Sequence, residues 1–438
     1  MANAAMETGA DAKRLLEIVK VIRKYKITQG MSPDALCEML KELGPTFVKL
    51  GQLLSMHPEI IPMEHCKKLE DLRTDASHLV TAQIREIISE EYGQPWNRVF
   101  RQIMPYPLGA ASIAQVHEAV LLDGTHVAVK IRRPEIYSVM ERDVRLLKSA
   151  LNVIKLKKIN NVMNLGDTID EVWAVAQEEM DFEREADNIR RVRENIEGIK
   201  YVYCPRVYDE LSTKHILVME YIGGFELTNK AAMEEQGYNV QEVCTKFINN
   251  YIKQFSEDRF FHADPHPGNV RVWDGRIVWL DLGMMGTLTS ADAELIKVCM
   301  KAIFSNDYLS FANAVLKICE HDPELDREAY YGRMQAYLDK YRILSMAQMS
   351  STVDWRSLSI MEGTVSDLSP KTDLAAIIGK HLAAQSMVKG VAGSITRKIS
   401  HRRLISGSAL HYKGNELEPD EFIDEEYDEL DNELEGES

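Results

Sequence analysis

The sequence of 438 residues lacks the features that define several common protein classes. Its six cysteines are scattered, with no Cys-x-x-Cys pair, which disfavours a disulfide framework or a zinc ribbon and indicates a reducing compartment. No run approaches the roughly 18 to 20 apolar residues that span a bilayer, and no basic start with an apolar stretch marks a signal peptide. We therefore expect a cytoplasmic protein, either soluble or peripheral at a membrane surface.

The chain also lacks a general excess of basic residues. Its formal net charge is −16 at pH 7, and residues 415–438 alone contain thirteen Asp or Glu and no Lys or Arg. The rest of the chain is therefore almost balanced, which disfavours nucleic acid as a partner. We expect residues 412–438 to form a disordered acidic tail, because like charges repel and little apolar surface is available for burial.

A chain of this length is expected to contain more than one core. Apolar periodicity predicts a helical extension, a small β-rich lobe, a larger helical lobe and the tail. The predicted regions are 1–104, 105–223, 224–411 and 412–438.

The extension is predicted to open with a basic amphipathic helix over residues 11–27. Its apolar stripe is formed by Leu15, Ile18, Val19 and Ile22. Such a helix either packs this stripe on the body of the protein or lies on an anionic membrane surface. A second helix is predicted to start at Ser32, with Pro33 in its first position. Residues 369–405 contain another candidate basic face.

Periodicity changes within the small lobe. Residues 114–131 alternate in part and break at Asp123-Gly124, which predicts a β-hairpin. A long helical region is predicted over 134–196, followed by strand-like segments. These segments are 206–209 and 215–222.

The most informative stretch is His262-Ala-Asp-Pro-His-Pro-Gly-Asn269, followed by Asp281 after a predicted hairpin that turns at Asp274-Gly275. Asp264 is placed to orient or deprotonate an acceptor, and Asn269 and Asp281 offer oxygen atoms to a hard cation that bridges phosphates. Two other interpretations stay open. His262, Asp264 and His266 could bind a transition metal, or the stretch could be a structural turn stiffened by proline.

Upstream residues favour the phosphate interpretation. Lys130 ends a predicted strand and could reach the phosphates of a nucleotide. A buried lysine needs a counter-charge, for which Glu185 is the candidate. Asp181 would lie four residues before it on the same helix face, and Glu179 would point elsewhere if the helix were unbroken.

The segment Gly109-Ala110-Ala111-Ser112 stands where ordinary protein kinases have a glycine-rich loop over the phosphates. Alanine restricts φ, so this loop should be stiffer, and taken alone it also suits a tight packing turn. The segment Val218–Ile222, which includes Glu220, resembles the connector between kinase lobes, whose backbone would meet the adenine.

In this order, the segments resemble the UbiB/ADCK/AarF family of atypical protein-kinase-like proteins over about residues 30–400. The motifs are Lys49-Leu-Gly-Gln52, Gly109-Ala-Ala-Ser112, Glu179-Met-Asp181 and His262–Asn269. The resemblance implies an α+β, bilobal protein-kinase-like fold with an N-terminal helical extension. Two departures are Gly109, where the family often has a third alanine, and the absence of the carboxy-terminal transmembrane helices of many bacterial members.

The resemblance also implies roles for individual residues. Lys130 would bind the phosphates of ATP and pair with Glu185, Asp264 would be the catalytic-loop acid, and Asn269 and Asp281 would hold Mg²⁺. In this family the Lys-x-Gly-Gln helix folds over the active site and would occlude a protein substrate. By that likeness the residues near the nucleotide and the acceptor are Lys49, Gln52 and Glu179.

The expected function is that of an atypical kinase-like ATPase with a lipid or isoprenoid-quinone precursor as partner. ATP hydrolysis or phosphorylation of a small molecule would be the reaction. A regulatory pseudokinase that only binds nucleotide, and a peripheral lipid-binding module, are the alternatives. An ordinary Ser/Thr protein kinase is disfavoured because no His-Arg-Asp or Ala-Pro-Glu element is present.

Overall fold

The computed structural model describes most of the chain up to residue 381. The described residues are 2–25, 31–55, 61–69, 71–72, 79–111, 113–154, 158–159, 163–305, 307–318, 325–341, 355–369, 372, 377–378 and 381. The predicted acidic tail and most of the basic face predicted within 369–405 lie outside them.

Five helices form the amino-terminal part. They are α1 (Ala2–Lys24), α2 (Pro33–Leu43), α3 (Pro45–Ser55), α4 (Met63–Leu69) and α5 (Thr81–Tyr92). Helix α1 begins before the predicted residue 11, and its stripe of Ile18, Val19 and Ile22 is buried against α2, α3 and a later helix, α6 (Ile136–Ile154). The apolar side of this helix is therefore part of the core of the extension. Ser32 caps α2 as predicted, since its Oγ accepts from the Ala35 amide at 3.3 Å.

The small lobe is built on an antiparallel sheet of four strands in the order β1-β2-β3-β7. The strands are β1 (Phe100–Ala110), β2 (Ala114–Leu121), β3 (His126–Arg132) and β7 (Ile216–Glu220). The predicted hairpin at Asp123-Gly124 is confirmed by the β2–β3 pairing. Strand β1 begins at Phe100, ahead of the predicted boundary at residue 105.

The two faces of this sheet are covered by different helices. Val127 and Val129 pack with α5, whereas Ala128 packs with α8 (Phe182–Asn195). Because side chains alternate along a strand, Lys130 projects from the same face as Ala128. The sequence of β3 therefore directs this lysine toward α8.

The predicted helical region over 134–196 is interrupted. It contains α6 (Ile136–Ile154), two short strands, β4 (Lys158–Ile159) and β5 (Met163–Asn164), then α7 (Leu165–Glu179) and α8 (Phe182–Asn195). Asp181 is extended and caps α8, accepting from the Glu183 amide at 3.2 Å. The prediction that Asp181 and Glu185 share a helix face is wrong, because Asp181 precedes the helix as its N-cap. In that position its side chain accepts from an amide that would otherwise be unpaired.

The predicted strand over 206–209 is also wrong. Only Val207 forms an isolated bridge to Met219, and a 3₁₀ turn follows at Asp209–Leu211. The strand predicted over 215–222 forms as β7, which ends at Glu220.

The larger lobe combines helices with short strands. Its helices are α9 (Lys230–Glu235), α10 (Val240–Lys253), α11 (Ser290–Ser305), α12 (Tyr308–Ile318), α13 (Arg327–Tyr341) and α14 (Trp355–Leu368). One sheet has the order β6-β11-β10-β8, formed by β6 (Val202–Tyr203), β11 (Arg276–Trp279), β10 (Val270–Trp273) and β8 (Phe225–Glu226). Strands β9 (Phe260–His262) and β12 (Met285–Thr287) pair separately. No helix among the described residues is long and apolar enough to cross a bilayer.

The hairpin β10–β11 is confirmed. Asp274 and Gly275 turn the chain with φ values of 48° and 66°, the left-handed backbone that a two-residue type I′ turn requires.

Candidate active site

Lys130, Glu185 and Asp281 meet at the junction of the two lobes. The Lys130 Nζ lies 2.7 Å from Oε2 of Glu185 and 3.2 Å from Oδ1 of Asp281. The ammonium group also lies over the ring of Phe182, 5.3 Å from its centroid. The ion pair that the sequence predicts between Lys130 and Glu185 is therefore present, and Asp281 adds a second carboxylate to it.

These three groups shift one another's pKa. Burial opposes the charge on Lys130, but the carboxylates of Asp281 and Glu185 outweigh it, so the pKa of Lys130 is raised. Burial raises the pKa of Glu185 to about 7, against the opposing effect of Lys130. Lys130 lowers the pKa of Asp281 to about 2. The ammonium group of Lys130 thus pairs with two carboxylates, and the buried carboxylate of Glu185 has the higher pKa of the two.

The β10–β11 hairpin brings Asn269 and Asp281 together. Val270 pairs with Trp279, and the Leu280 amide donates to the Asn269 carbonyl at 2.8 Å. The residues just outside the open end of the hairpin are therefore neighbours, although they are twelve positions apart in the sequence. Asp281 has a φ of 30°, an uncommon backbone conformation for a residue with a side chain and one found often at functional sites.

Asp264 lies beside this pair. Its carbonyl accepts from Nδ2 of Asn269 at 3.0 Å, which directs the amide oxygen of Asn269 away from that contact. Within the described residues, no hydrogen-bond donor approaches the Asp264 carboxylate or Oδ1 of Asn269. The carboxylate of Asp264 and the amide oxygen of Asn269 are therefore left for a ligand.

His262 connects the loop that contains Asp264 with the backbone at Asp281. The Asp264 amide donates to its Nδ1 at 3.1 Å, and its Nε2 lies 2.9 Å from the Asp281 carbonyl. Nδ1 is therefore an acceptor and Nε2–H a donor, which is the neutral tautomer. Burial lowers the pKa of His262 and favours that neutral form. We assigned no such bridging role from the sequence, since a single histidine before an acidic residue has many explanations.

The transition-metal interpretation of this stretch does not fit. Both ring nitrogens of His262 are engaged by backbone groups, and Nδ1 of His266 accepts from the Gly268 amide at 3.1 Å. No cluster of three or more metal-binding His, Cys, Asp or Glu side chains is found in the part of the chain that the structure describes. His266 is a turn-capping residue.

The alanine-rich turn has its own backbone partners. Gly109 and Ala110 end β1, opposite Val116 and Gln115, and Ser112 lies outside the described residues.

The Ala111 amide donates to the Ala114 carbonyl at 2.8 Å, and the Ala111 carbonyl accepts from Nε of Arg133 at 2.8 Å. An amide already bonded within the turn cannot also wrap a phosphate. The tight-turn interpretation therefore describes Ala111 better than a flexible phosphate loop does.

Glu220 ends β7 at the start of the connector. Its amide donates to the Arg206 carbonyl at 2.8 Å, and its carboxylate accepts from the Tyr203 hydroxyl at 2.6 Å. The connector is then fixed by Arg271, which donates to the carbonyls of Gly223 and Gly224 at 2.9 Å and 2.6 Å. The side chain of Glu220 is thus engaged within the protein.

The Lys49-Leu-Gly-Gln52 segment lies on α3. Nζ of Lys49 is 2.5 Å from Oε2 of Glu179, and Glu179 acts electrostatically on Glu185. These two motifs therefore meet near the Lys130 cluster. Gln52 instead donates to the Leu72 carbonyl at 2.8 Å, and a Cβ on Gly51 would lie 2.6 Å from Leu40 and Leu72 side-chain atoms. Glycine permits this close packing.

The charges of the cluster fit a divalent cation. Glu185 and Asp281 share the single ammonium of Lys130, Asp264 adds a further carboxylate beside Asn269, and Lys49 and Glu179 balance each other. Hard oxygen ligands with excess negative charge are what Mg²⁺ prefers. Asp281 and Asn269 are the residues that fit as its ligands.

Comparison with known proteins identifies the family. The ABC1 atypical kinase-like domain matches residues 71–315, more than half of the chain. The chain belongs to this ABC1 family. The predicted family and the predicted bilobal α+β fold are therefore confirmed.

Individual relatives agree with this assignment. The chain is 31% identical over 396 residues to an "Uncharacterized protein in hydrogenase 1 5′region" of Clostridium pasteurianum, covering 88% of this chain and 74% of the relative. It is 29% identical to "Probable protein kinase UbiB" of Shewanella piezotolerans, covering 83% and 72%.

A solved structure shares the fold. It is "The complex structure of Rv3197-erythromycin from Mycobacterium tuberculosis", with a TM-score of 0.53 and 20% identity, covering 75% of this chain and 89% of that chain.

Proposed function

We propose that this ABC1-family protein is an atypical kinase-like ATPase that binds Mg-ATP between its two lobes. The observation that supports this most is the convergence of Glu185 and Asp281 on Lys130, whose Nζ lies 2.7 Å from the first carboxylate and 3.2 Å from the second. Lys130 would contact phosphates, and Asn269 and Asp281 would hold Mg²⁺. Bound there, the ion would neutralise charge on the phosphates.

The exposure of the two carboxylates assigns them different parts. The Glu185 side chain is 3% exposed and that of Asp281 is 54% exposed. Glu185 is therefore the buried hydrogen-bond partner that orients Lys130. Asp281 is the carboxylate that can turn to a ligand.

Asp264 is the residue of this site that would act on the acceptor. Its carboxylate is free of donors among the described residues, so it can accept a proton from, or orient, a hydroxyl group or water. Its position is fixed through its own amide and carbonyl, which bond to His262 and Asn269. Hydrolysis of ATP and transfer of phosphate to a small molecule both use this arrangement.

We further propose a small acceptor, such as a lipid or isoprenoid-quinone precursor, in place of a protein. The Lys49–Glu179 pair supports this, because it places the extension against the cluster that would hold the phosphates. The choice of an isoprenoid-quinone precursor follows only from the resemblance of the sequence motifs to the UbiB/ADCK/AarF family.

The test is the substitution Asp281→Asn with Asp274→Asn as its matched control. Asp274 lies on the same hairpin, also has a positive φ, and is about as exposed as Asp281. We expect Asp281→Asn to lower Mg²⁺-dependent phosphate release from ATP at least about 100-fold, with Asp274→Asn within about twofold of the wild type. Unchanged turnover in pure, folded Asp281→Asn protein would rule out this site.

A nucleotide-binding pseudokinase is the second candidate, favoured by two observations. Lys130 is already paired with Asp281, and the Ala111 amide is bonded within its own turn. Wild-type protein that binds ATP but releases no phosphate with Mg²⁺ would identify this alternative.

A further inference from the structure

The backbone of His262 is held from two sides by helix α10 and the turn after it. Its amide donates to Oε1 of Gln254 at 2.9 Å, and its carbonyl accepts from the Tyr251 hydroxyl at 2.8 Å. His262 in turn bonds through its ring to the Asp264 amide and the Asp281 carbonyl. The side chains of Gln254 and Tyr251 are therefore connected, through His262, to the backbone at Asp264 and at Asp281.

This contact belongs to a wider polar network in the core of the larger lobe. Nε2 of Gln254 donates to Oδ1 of Asn250 at 3.2 Å, and Nε1 of Trp279 donates to the same oxygen at 2.8 Å. Trp279 is the last residue of β11, two positions before Asp281. Asn250, Tyr251 and Trp279 are fully buried and Gln254 is 4% exposed, so water does not compete for these bonds.

The backbone around Gln254 is unusual. Residues Gln254–Asp258 form a π-helical turn, which ends at Arg259 with a φ of 54°. A π-helical turn is rare and occurs often at functional sites, and a left-handed backbone is unfavourable for a non-glycine residue. A single residue, Arg259, joins this turn to β9, and His262 at the end of β9 lies against Gln254.

We infer that Gln254 and Tyr251 are positioning residues, which set the separation of Asp264 from Asp281 by holding the backbone of His262. The inference rests on the proposed function for its catalytic consequence. The placement of His262 itself can be measured without nucleotide.

The test uses Tyr251→Phe and Gln254→Met, with Val243→Ala as control. Phenylalanine keeps the ring packing and removes only the hydroxyl donor, and methionine keeps the length of glutamine without its polar atoms. Val243 is fully buried on the same helix and lies more than two helical turns before Gln254. All three full-length proteins are compared at equal temperature with the wild type.

Two readouts distinguish positioning from general destabilisation. In nucleotide-free protein, the amides of His262 and Asp264 should exchange with solvent at least about tenfold faster in Gln254→Met and measurably faster in Tyr251→Phe than in Val243→Ala. In turnover, both variants should lower kcat about tenfold or more and raise the Mg²⁺ concentration for half-maximal rate. The nucleotide Kd without metal should stay within about twofold.

Each outcome decides something. The inference is overturned if the amides of His262 and Asp264 exchange no faster in the variants than in the Val243→Ala control. It is also overturned if these amides exchange faster while kcat is unchanged. A wild type that releases no phosphate refutes the proposed function, yet faster exchange in the variants would still establish that α10 holds His262. If Gln254→Met does not fold, Tyr251→Phe provides both readouts alone.

Discussion

At the scale of single residues, the centre of the site is an unequal competition for one ammonium group. Glu185 and Asp281 both bond to Lys130, but Glu185 is almost fully buried and Asp281 is half exposed. Of the two carboxylates, the buried one of Glu185 is therefore the one whose negative charge is less well stabilised. Burial raises the pKa of Glu185 to about 7, so this residue changes charge near neutral pH.

This shift predicts a pH dependence of stability. The folded-state pKa of Glu185, about 7, lies above the ordinary value of 4.5 for a glutamate, so the folded protein binds more protons than the unfolded one between these values. The free energy of unfolding should fall as pH rises through this window, by up to about 3 kcal/mol. Glu185→Gln should remove this slope, which urea unfolding at pH 5, 6 and 7 can measure.

The control for this measurement is Glu183→Gln. Glu183 lies on the same helix α8 and is exposed, so its variant should keep the slope of the wild type. An identical slope in the Glu185→Gln and wild-type proteins would contradict the assignment of the titration to Glu185.

Single residues of the site were predictable where simple chemistry demands a partner. A lysine on a buried strand needs a carboxylate, and this leads from Lys130 to Glu185. The chain contains many glutamines and histidines with no such demand. The bond of Gln52 to the Leu72 carbonyl and the two backbone bonds of His262 depend on the folded path of other segments, so the sequence does not show them.

At the scale of elements, the β10–β11 hairpin is the part that positions the cation ligands. Its turn was predictable from Asp274-Gly275 because that pair favours a two-residue turn. The length of the strands then fixes which residues meet at the open end. Local sequence therefore determined the separation of Asn269 and Asp281.

The connector depends on the same hairpin, which yields a prediction for Gly224. Its φ is 71°, and a Cβ there would lie 2.1 Å from the Val272 carbonyl oxygen of β10. Gly224→Ala should lower the free energy of unfolding by more than about 2 kcal/mol, since it combines a left-handed backbone with a backbone clash. Chemical denaturation of the variant and the wild type measures this.

Its neighbour Gly223 provides the control. A Cβ at Gly223 would lie 3.3 Å from Nε1 of Trp273, a side-chain atom that can shift, and its φ is not positive. We expect Gly223→Ala to change stability by less than about 1 kcal/mol. Equal losses in the two variants would show that the clash with β10 is not what matters.

Other elements could not be predicted from local pattern. The break between α7 and α8 arises where Asp181 caps a new helix, although the surrounding residues favour one continuous helix. The pairing of β9 with β12 joins segments more than twenty residues apart, and the π-helical turn at Gln254–Asp258 has no pattern in local sequence that we recognised. Of these three features, the β9–β12 pairing depends on contacts between segments distant in sequence.

At the scale of the whole molecule, the helical extension is joined to the kinase-like body mainly through α6 and α7. The apolar stripe of α1 packs with Leu146 and Ala150 of α6. Lys49 of α3 pairs with Glu179 at the end of α7, one residue before the Met180-Asp181 break that leads into α8. The periodicity of α1 predicted a buried stripe as one outcome, but not which helix it would meet.

An ion pair between a half-buried arginine and a buried aspartate fixes this arrangement. The Arg14 guanidinium of α1 donates to both carboxylate oxygens of Asp143 on α6, at 3.1 Å and 3.0 Å, and to the Leu43 carbonyl at 2.6 Å. Asp143 is only 3% exposed. Removing one partner of such a pair leaves a charge in the protein interior, which costs more than the pair itself contributes.

We therefore expect Arg14→Met to destabilise the docked extension by about 3 kcal/mol, and the double variant Arg14→Met/Asp143→Leu to recover most of this loss. Arg145→Met is the control, because Arg145 is 65% exposed in its pair with Asp11 and should change stability by less than about 1 kcal/mol. Hydrogen exchange of the α1 amides, with urea unfolding of the whole protein, measures both. If the double variant were as unstable as Arg14→Met, the unpaired charge of Asp143 would not be the cause of the loss. The docking of α1 would then depend on the packing of Arg14 against Phe47. The guanidinium carbon of Arg14 lies 5.7 Å from the centroid of the Phe47 ring.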